Sequence, residues 1–219
     1  MGTLAILPVK RFAAANERLG RELTPGARRA LAEAMFSDVL VALRRSKLVE
    51  RILVVTADSG AAQIAGGHGA APLDAHEDGH NSAATLGVSW ALESGVDRAL
   101  LVPADCPLLV PDQLDELIGH PAGARSALIV PDRHGQGTNA LLLTPPDSIA
   151  PAFGPGSRER HVASARATGV AHEVVEVSSL ALDVDTPEDL AAVREVLSTT
   201  HGAAANTRGM LSQLMRSRM

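Results

Sequence analysis

The chain has 219 residues, 46% of them apolar and 21% charged, with a net charge of −5. That length supports one sizeable core, and one large α/β domain suits it better than two small ones. An acidic chain has no global basic field to hold a polyanion. An aromatic share of 2%, with no Tyr, leaves little to stack on single-stranded bases, so nucleic acid is not an expected partner.

The core must be built from Val, Leu, Ile and Ala. The single cysteine, Cys106, rules out an internal disulfide and a Cys-based zinc site. The apolar run after Met1-Gly2-Thr3-Leu4 is broken by Pro8 and Lys10 and is too short for a signal peptide. No later run approaches the ~18 residues of a membrane span, so a cytoplasmic protein without a membrane partner is expected.

Along the chain, apolar runs of strand length alternate with segments of helical period. Residues 4–9 (LAILPV) read as the first strand. Thr24-Pro25 starts a helix, with Thr as N-cap and Pro at the first position; Leu31, Ala34, Met35, Val39 and Leu43 follow at helical spacing. Residues 51–56 (RILVVT) are the second strand. A short Ala/Gly-rich helix then closes in a turn at Gly66-Gly67-His68-Gly69, before a brief strand over 70–73.

A polar loop over 74–80 leads to a helix that Asn81 can cap, running to Ser94. Residues 98–103 (RALLVP) form an apolar strand ending at Asp105, and 111–119 a short helix. Strands over 126–131 and 140–144 flank the loop Asp132-Arg133-His134-Gly135-Gln136-Gly137-Thr138. The Pro/Gly-rich stretch 145–156 reads as loop, 157–168 as helix, and 173–177 and 180–184 as strands. Thr186-Pro187-Glu188-Asp189 opens the last core helix with the spacing of a capping box.

This β-α order predicts an α/β domain over 1–198 with a mostly parallel, doubly wound sheet. The tail 199–219 carries Arg208, Arg216 and Arg218 and no acid. It reads as a loose extension, although Met210, Leu211, Leu214 and Met215 could line one helical stripe.

In open α/β sheets, ligands bind beyond the carboxyl ends of the strands. Asp105 follows one such end, and Asp183 and Asp185 lie at the end of LALDVD. Residues i and i+2 of an extended segment face the same way, so Asp183 and Asp185 can aim at one point while Val184 faces the core. Three converging carboxylates suit Mg²⁺, a hard cation that keeps waters and bridges to phosphates. A lone Asp at a strand end would be read as a turn or cap residue; an Asp-x-Asp joined by a third Asp favours function.

Lys10 and Arg18, after the first strand, could clamp a triphosphate or form a solvated basic surface. The stretch lacks both GxGxxG and the P-loop pattern, which disfavours dinucleotide binding and P-loop hydrolysis. The small polar loop Gly135-Gln136-Gly137-Thr138-Asn139 and the approach Phe153-Gly154-Pro155-Gly156-Ser157-Arg158 together could form an acceptor pocket. Backbone N–H groups at the second helix start suit a carboxylate or phosphate. His76 and His80, in an acidic loop, are expected to be solvated, and Cys106, with no base near it in sequence, is expected to be pocket-lining or buried.

These segments in this order resemble the guanylyltransferases of deazaflavin coenzyme F-420 biosynthesis, over roughly residues 4 to 197. The carrying motifs are Pro8-Val9-Lys10 with Arg18-Leu19, Pro103-Ala104-Asp105-Cys106-Pro107-Leu108, the run Pro131 to Ala140, Phe153-Gly154-Pro155-Gly156-Ser157, and Asp183-Val184-Asp185-Thr186-Pro187. The resemblance implies a GT-A-like nucleotidyltransferase fold and transfer of GMP from GTP to a small phosphorylated acid. Phosphoenolpyruvate, 2-phospho-L-lactate and 3-phosphoglycerate stay open as acceptors.

The resemblance further implies that Asp105, Asp183 and Asp185 hold Mg²⁺, two ions with substrates bound. Lys10 and Arg18 would contact the nucleotide phosphates, and Thr138, Gly154 and Ser157 would hold the acceptor carboxylate. Partners are then small molecules, with a homodimer or a downstream transferase left open. Asn16 stands where relatives often have Lys, and Cys106 where Leu is common. Two rival readings remain: a molybdenum-cofactor or sugar-phosphate nucleotidyltransferase on the same fold, and a nucleotide-sensing module without catalysis.

Overall fold

The computed structural model describes residues 2–75, 79–200 and 202–216, so His76 falls outside it. Strand β1, Thr3–Val9, is buried along its whole length because both of its faces meet packed layers. Ala5, Leu7 and Val9 enter one core with Phe36, Val39 and Leu43 of α1 (Pro25–Arg45), Ala61 of α2 (Ser59–Gly67) and Leu114 of α4 (Pro111–Gly119). Leu4 and Ile6, pointing the other way, enter a second core with Ala84 and Val88 of α3 (His80–Glu93) and Ala165 of α5 (Ser157–Thr168). Gly87 lets α3 lie against β1: a methyl there would run into Ile6 Cγ2.

The other strands are β2 (Val49–Thr56), β3 (Ala71–Asp74), β4 (Arg98–Leu101), β5 (Ser126–Pro131), β6 (Thr138–Thr144) and β7 (Ala171–Val174). They form a seven-stranded sheet in the order β3-β2-β1-β4-β6-β5-β7. Only β6 is antiparallel to its neighbours, β4 and β5; the remaining pairings are parallel. The expected mostly parallel α/β sheet is therefore present, with helices on both faces. The antiparallel insertion brings the loop before β6 to the same sheet edge as the carboxyl ends of β1 and β4. Among the described residues no helix is long and apolar enough to cross a membrane.

Three local expectations change. The strand expected over 173–177 is β7, which starts two residues earlier and ends three residues earlier, pairing with β5 from Ser126↔Ala171 to Ile129↔Val174. The strand expected over 180–184 is absent: a 3-10 turn, Ser178–Leu180, folds Leu180 into the core, and the chain then leaves the sheet. Asn81 is not a cap. Gly79, at φ 101°, takes that position in front of α3.

The tail is the largest difference. Residues Ala205–Arg216 form α7, which closes a third apolar cluster with α1 and α6 (Pro187–Thr199). Leu211 is buried there beside Leu31, Met35, Val193 and Leu197, with Met210 and Leu214 packed alongside and Met215 exposed. The helical-stripe alternative thus holds over the loose one. Its start is fixed from α1: the buried Asp38 carboxylate accepts from Asn206 N (3.1 Å), Asn206 Nδ2 (2.8 Å) and Thr207 N (2.8 Å). A carboxylate at a helix N-terminus takes up orphan N–H groups and meets the positive end of the dipole.

Asp38→Ala should therefore cost about 2–3 kcal/mol of stability, one set of charge-assisted bonds. The loss should appear as faster amide exchange in residues 205–216 before the rest of the sheet exchanges. Unchanged exchange across α7 would refute this account.

Candidate active site

The loop after β1 is where the candidate phosphate contacts sit. Its path is set by Asp58, which the sequence reading did not single out. Asp58 Oδ2 accepts from Phe12 N (3.0 Å), while its Oδ1 caps α2 through Gly60 N (2.8 Å) and Ala61 N (3.1 Å). Burial pushes this carboxyl upward, but those N–H donors and the nearby Arg29 outweigh it, and its pKa is lowered. Lys10 and Arg18 emerge from this loop as exposed side chains on the rim of a cleft of about 620 Å³. Asn16, between them, adopts a left-handed conformation (φ 52°), one that Asn tolerates better than most residues, and its Nδ2 is buried with no hydrogen-bond partner.

The eight residues given site roles by the family resemblance line this one cleft: Lys10, Arg18, Asp105, Thr138, Gly154, Ser157, Asp183 and Asp185; Gly135 and Arg158, also placed in the acceptor pocket from sequence, face a second cleft instead. Asp105 and the Asp-Val-Asp segment come together although no strand joins them. Val184 N donates to Asp105 O (3.1 Å), with Val184 buried between an exposed Asp185 and a half-buried Asp183. The alternation expected of a strand thus survives in an extended loop. Asn139 Nδ2 donates to Asp183 Oδ1 (3.1 Å) and to Leu180 O (2.7 Å), which ties the segment to β6. The ion pair from Arg133 to Asp189 anchors its far end, where Asp189 Oδ2 also accepts from Asp185 N (3.2 Å) and Thr186 N (2.8 Å).

The Asp105 carboxyl carries the strongest electrostatic signature. Its Oδ1 is cut off from solvent and has no hydrogen-bond partner. Burial first, then the charges of Asp183 and Asp185, push its pKa up to about 7, against the pull of Lys10. Asp183 is raised as well, by burial and by Asp185 and Asp189, with the Asn139 bond opposing. Strongly shifted carboxyls clustered in a cleft mark it as a candidate functional site. Among the described residues, however, no three His, Cys, Asp or Glu side chains form a set that could enclose a metal ion unaided. The three carboxylates share a region rather than a closed cage.

Cys106 is fully buried, 3.7 Å from Leu180 O, and its thiol is pushed well up by burial and by the same three carboxylates. It is a core residue with no thiolate to offer, as expected. His80 departs from the expectation of a solvated side chain. It is half-buried, packs edge-on against Phe153 at 5.3 Å, and its pKa falls to about 4 through burial and the nearby Lys10.

The opposite wall is built from two loops. Asp132 shapes the first, accepting from His134 N (3.1 Å), Gln136 N (2.9 Å) and Gly137 N (2.9 Å). This places Thr138 and Asn139 at the start of β6, both buried. The second loop precedes α5. Gly154 (φ 110°) and Gly156 (φ 71°) take left-handed conformations that favour glycine, and Gly156 rather than Ser157 is the N-cap. Ser157 N already donates to Gly154 O (3.0 Å) and Arg158 N to Gln136 O (3.2 Å), so only part of the expected N–H array is free for an anion. Asp58 and Asn81 were not legible as site residues because each acts by holding backbone, which leaves no motif; Asp132 and Asn139 lay in the loop read from sequence, but their bonding roles did not show there.

Comparison with known proteins decides the family. The model "Guanylyl transferase CofC like" matches residues 3–217. The chain belongs to that family. A phosphoenolpyruvate guanylyltransferase of Conexibacter woesei is 54% identical over 218 residues, covering 99% of this chain and 98% of its own. A 2-phospho-L-lactate guanylyltransferase of Methanothermobacter thermautotrophicus is 33% identical over 221 residues, covering 98% and 92%.

Two solved structures share the fold. One from Desulfovibrio desulfuricans has a TM-score of 0.77 at 16% identity, covering 99% of this chain and 98% of that one. A nucleotidyl transferase from Methanothermobacter thermautotrophicus has a TM-score of 0.64 at 18% identity, covering 91% and 99%. The protein is thus a nucleotidyltransferase of the guanylyltransferase kind. Both rival readings, the non-catalytic module and the molybdenum-cofactor or sugar-phosphate enzyme, are set aside.

A carboxyl whose pKa is higher folded than unfolded binds its proton more tightly in the native state. Asp105 therefore costs stability as pH rises from 3.8 towards about 7. With divalent ions chelated, Asp105→Asn should melt above the unmodified protein at pH 8, by about 2–4 kcal/mol in stability at most. That gain should vanish towards pH 4, where both forms are neutral. An equal difference at both pH values would refute the assignment.

Proposed function

We propose that the protein transfers GMP from GTP to phosphoenolpyruvate, releasing pyrophosphate, in the biosynthesis of coenzyme F-420. The observation that carries this reading is the buried Asp105 carboxylate, one oxygen of which has no partner, set beside Asp183 and Asp185 in a cleft that Lys10 and Arg18 also line. An all-oxygen, uncompensated acidic site fits Mg²⁺, which takes one or two carboxylates and completes its shell with water and substrate phosphates. Asp105, Asp183 and Asp185 would hold it. When bound, it supplies positive charge between the triphosphate and the acceptor phosphate.

The chain's own residues do the rest. Lys10 and Arg18 draw in the triphosphate and neutralise its outer oxygens, while Thr138, Gly154 and Ser157 take the acceptor's carboxylate. An acceptor phosphate oxygen then attacks the α-phosphorus of GTP in line, and the bond to pyrophosphate breaks. Both reactants are anions, so alignment and neutralisation are the main tasks. The attacking phosphate is already ionised, so no general base is required, in keeping with the buried, protonated Cys106. Phosphoenolpyruvate is favoured over 2-phospho-L-lactate and 3-phosphoglycerate because the Conexibacter woesei relative carries that acceptor in its name at 54% identity.

Pyrophosphate release with GTP and Mg²⁺ should be fastest with phosphoenolpyruvate among those three acids. Asp183→Asn and Asp185→Asn should each lower the rate by roughly a hundredfold or more, about 2.7 kcal/mol in the barrier, with the fold intact. Near-normal rates at saturating Mg²⁺ in either variant would refute the carboxylate assignment. A clear preference for another acid would replace phosphoenolpyruvate as the acceptor.

A further inference from the structure

His161 lies on α5, has no exposure at all, and belongs to none of the motifs read from sequence. Both ring nitrogens are used. Nε2 is 2.9 Å from Ala152 N, and Nδ1 is 2.9 Å from Thr138 Oγ1. A backbone N–H can only donate, so Nε2 must hold a lone pair. A neutral imidazole with a bare Nε2 carries its proton on Nδ1. The Thr138 hydroxyl oxygen then accepts from that proton, and its own hydrogen is left to point elsewhere.

The ring stays neutral because burial, helped by the adjacent Arg160 charge, lowers its pKa to about 4. It also packs edge-on against Phe153 at 5.3 Å, and Phe153 in turn meets His80. We propose that His161 is a positioning residue for the acceptor half of the cleft: it fixes the Thr138 hydroxyl as a hydrogen-bond donor towards the bound carboxylate and pins the start of the loop that carries Gly154 and Ser157. The inference rests on the reading of Thr138, Gly154 and Ser157 as the acceptor site.

The physical reason is one of polarity. An unconstrained threonine hydroxyl can turn either its hydrogen or a lone pair to a ligand. Facing a carboxylate, only the first is attractive. By occupying one lone pair with a donor, His161 biases the hydroxyl towards donating into the cleft. The same ring sets the loop. With Ala152 N held by His161, Ala152 O accepts from Arg160 Nε (3.1 Å), and Phe153 exchanges two bonds with Asn81: N to Oδ1 (2.7 Å) and O from Nδ2 (3.1 Å). The backbone of Ala152 and Phe153 is thereby committed to protein partners. Gly154 and Gly156 follow in their left-handed conformations, and neither N–H is paired among the described residues.

The test is a double-mutant cycle with steady-state kinetics, joined to a measurement of the ring itself. Thr138→Val and His161→Phe, the latter keeping an aromatic ring in place, should each raise KM for the phosphorylated acid about tenfold, the value of one charge-assisted hydrogen bond, while KM for GTP stays within twofold. The double variant should fall well short of the hundredfold that independent effects would give. Nitrogen-15 spectra of the unmodified protein should show His161 neutral at pH 6, protonated on Nδ1. An Nε2–H tautomer would overturn the proposal even if His161→Phe proved too unstable to assay. So would additive effects, or a loss in GTP binding. A raised acceptor KM in Thr138→Val but not in folded His161→Phe would overturn this inference alone; no change in Thr138→Val would overturn the acceptor-site reading with it.

Discussion

The site depends on a concentration of negative charge that the protein itself does not neutralise. A single backbone bond, Val184 N to Asp105 O, lays the Asp-Val-Asp segment against the chain leaving β4 and so brings Asp183 and Asp185 within electrostatic reach of Asp105. Like charges held in a poorly hydrated place raise one another's pKa and cost stability. They persist because the surrounding structure leaves them no retreat: Asn139 holds Asp183 from β6, and the Arg133–Asp189 pair holds the far end. Val184 meanwhile sits in the third apolar cluster. A proton on Asp105 or a bound cation would relieve that charge, and this sets the electrostatic character of the cleft.

The supporting polar residues serve backbone rather than substrate. Asp58 shapes the loop bearing Lys10, Asp132 the loop before Thr138, and Asn81 with Arg160 the loop before Ser157. Each satisfies amide groups that a tight, irregular segment would otherwise leave unpaired. Irregular loops are held in one shape without being part of the sheet. A reaction that consists of aligning two anions needs such rigidity more than it needs an activated side chain.

The fold is shared with solved proteins at 16% to 18% identity, so the sheet cannot itself carry the choice of substrate. The groups that line the cleft come from strand ends and loops. The antiparallel β6 delivers Thr138 and Asn139 to the cleft, and the α6–α7 pair buttresses α1 and Val184 from outside. The tail is thus part of the framework behind the acidic segment. Its Asp38 cap links it to α1 over a separation of 168 residues, further than any local sequence pattern reaches.

Much of this was legible in the sequence. Six of the seven strands were marked closely, the central ones because a strand buried on both faces needs an unbroken apolar run. Thr24-Pro25 and Thr186-Pro187-Glu188-Asp189 announced their helices because capping is local chemistry, and the structure shows both side-chain caps. Several residues that line the cleft were also legible, the acids because an Asp-x-Asp joins a third Asp at strand ends and the others through the family motifs. Tertiary structure decided the remainder. The Asp-Val-Asp segment is a loop and not a strand because its partner is the backbone of Asp105, 79 residues earlier in number, and not a neighbour in the sheet. The tail is a helix because α1 offers it a carboxylate and an apolar face. His161 gained its place from two atoms, Ala152 N and Thr138 Oγ1, that come together only when α5 packs on the sheet. Sequence determines which groups are present and their local preferences; a hydrogen bond between distant segments exists only once the fold has made them neighbours.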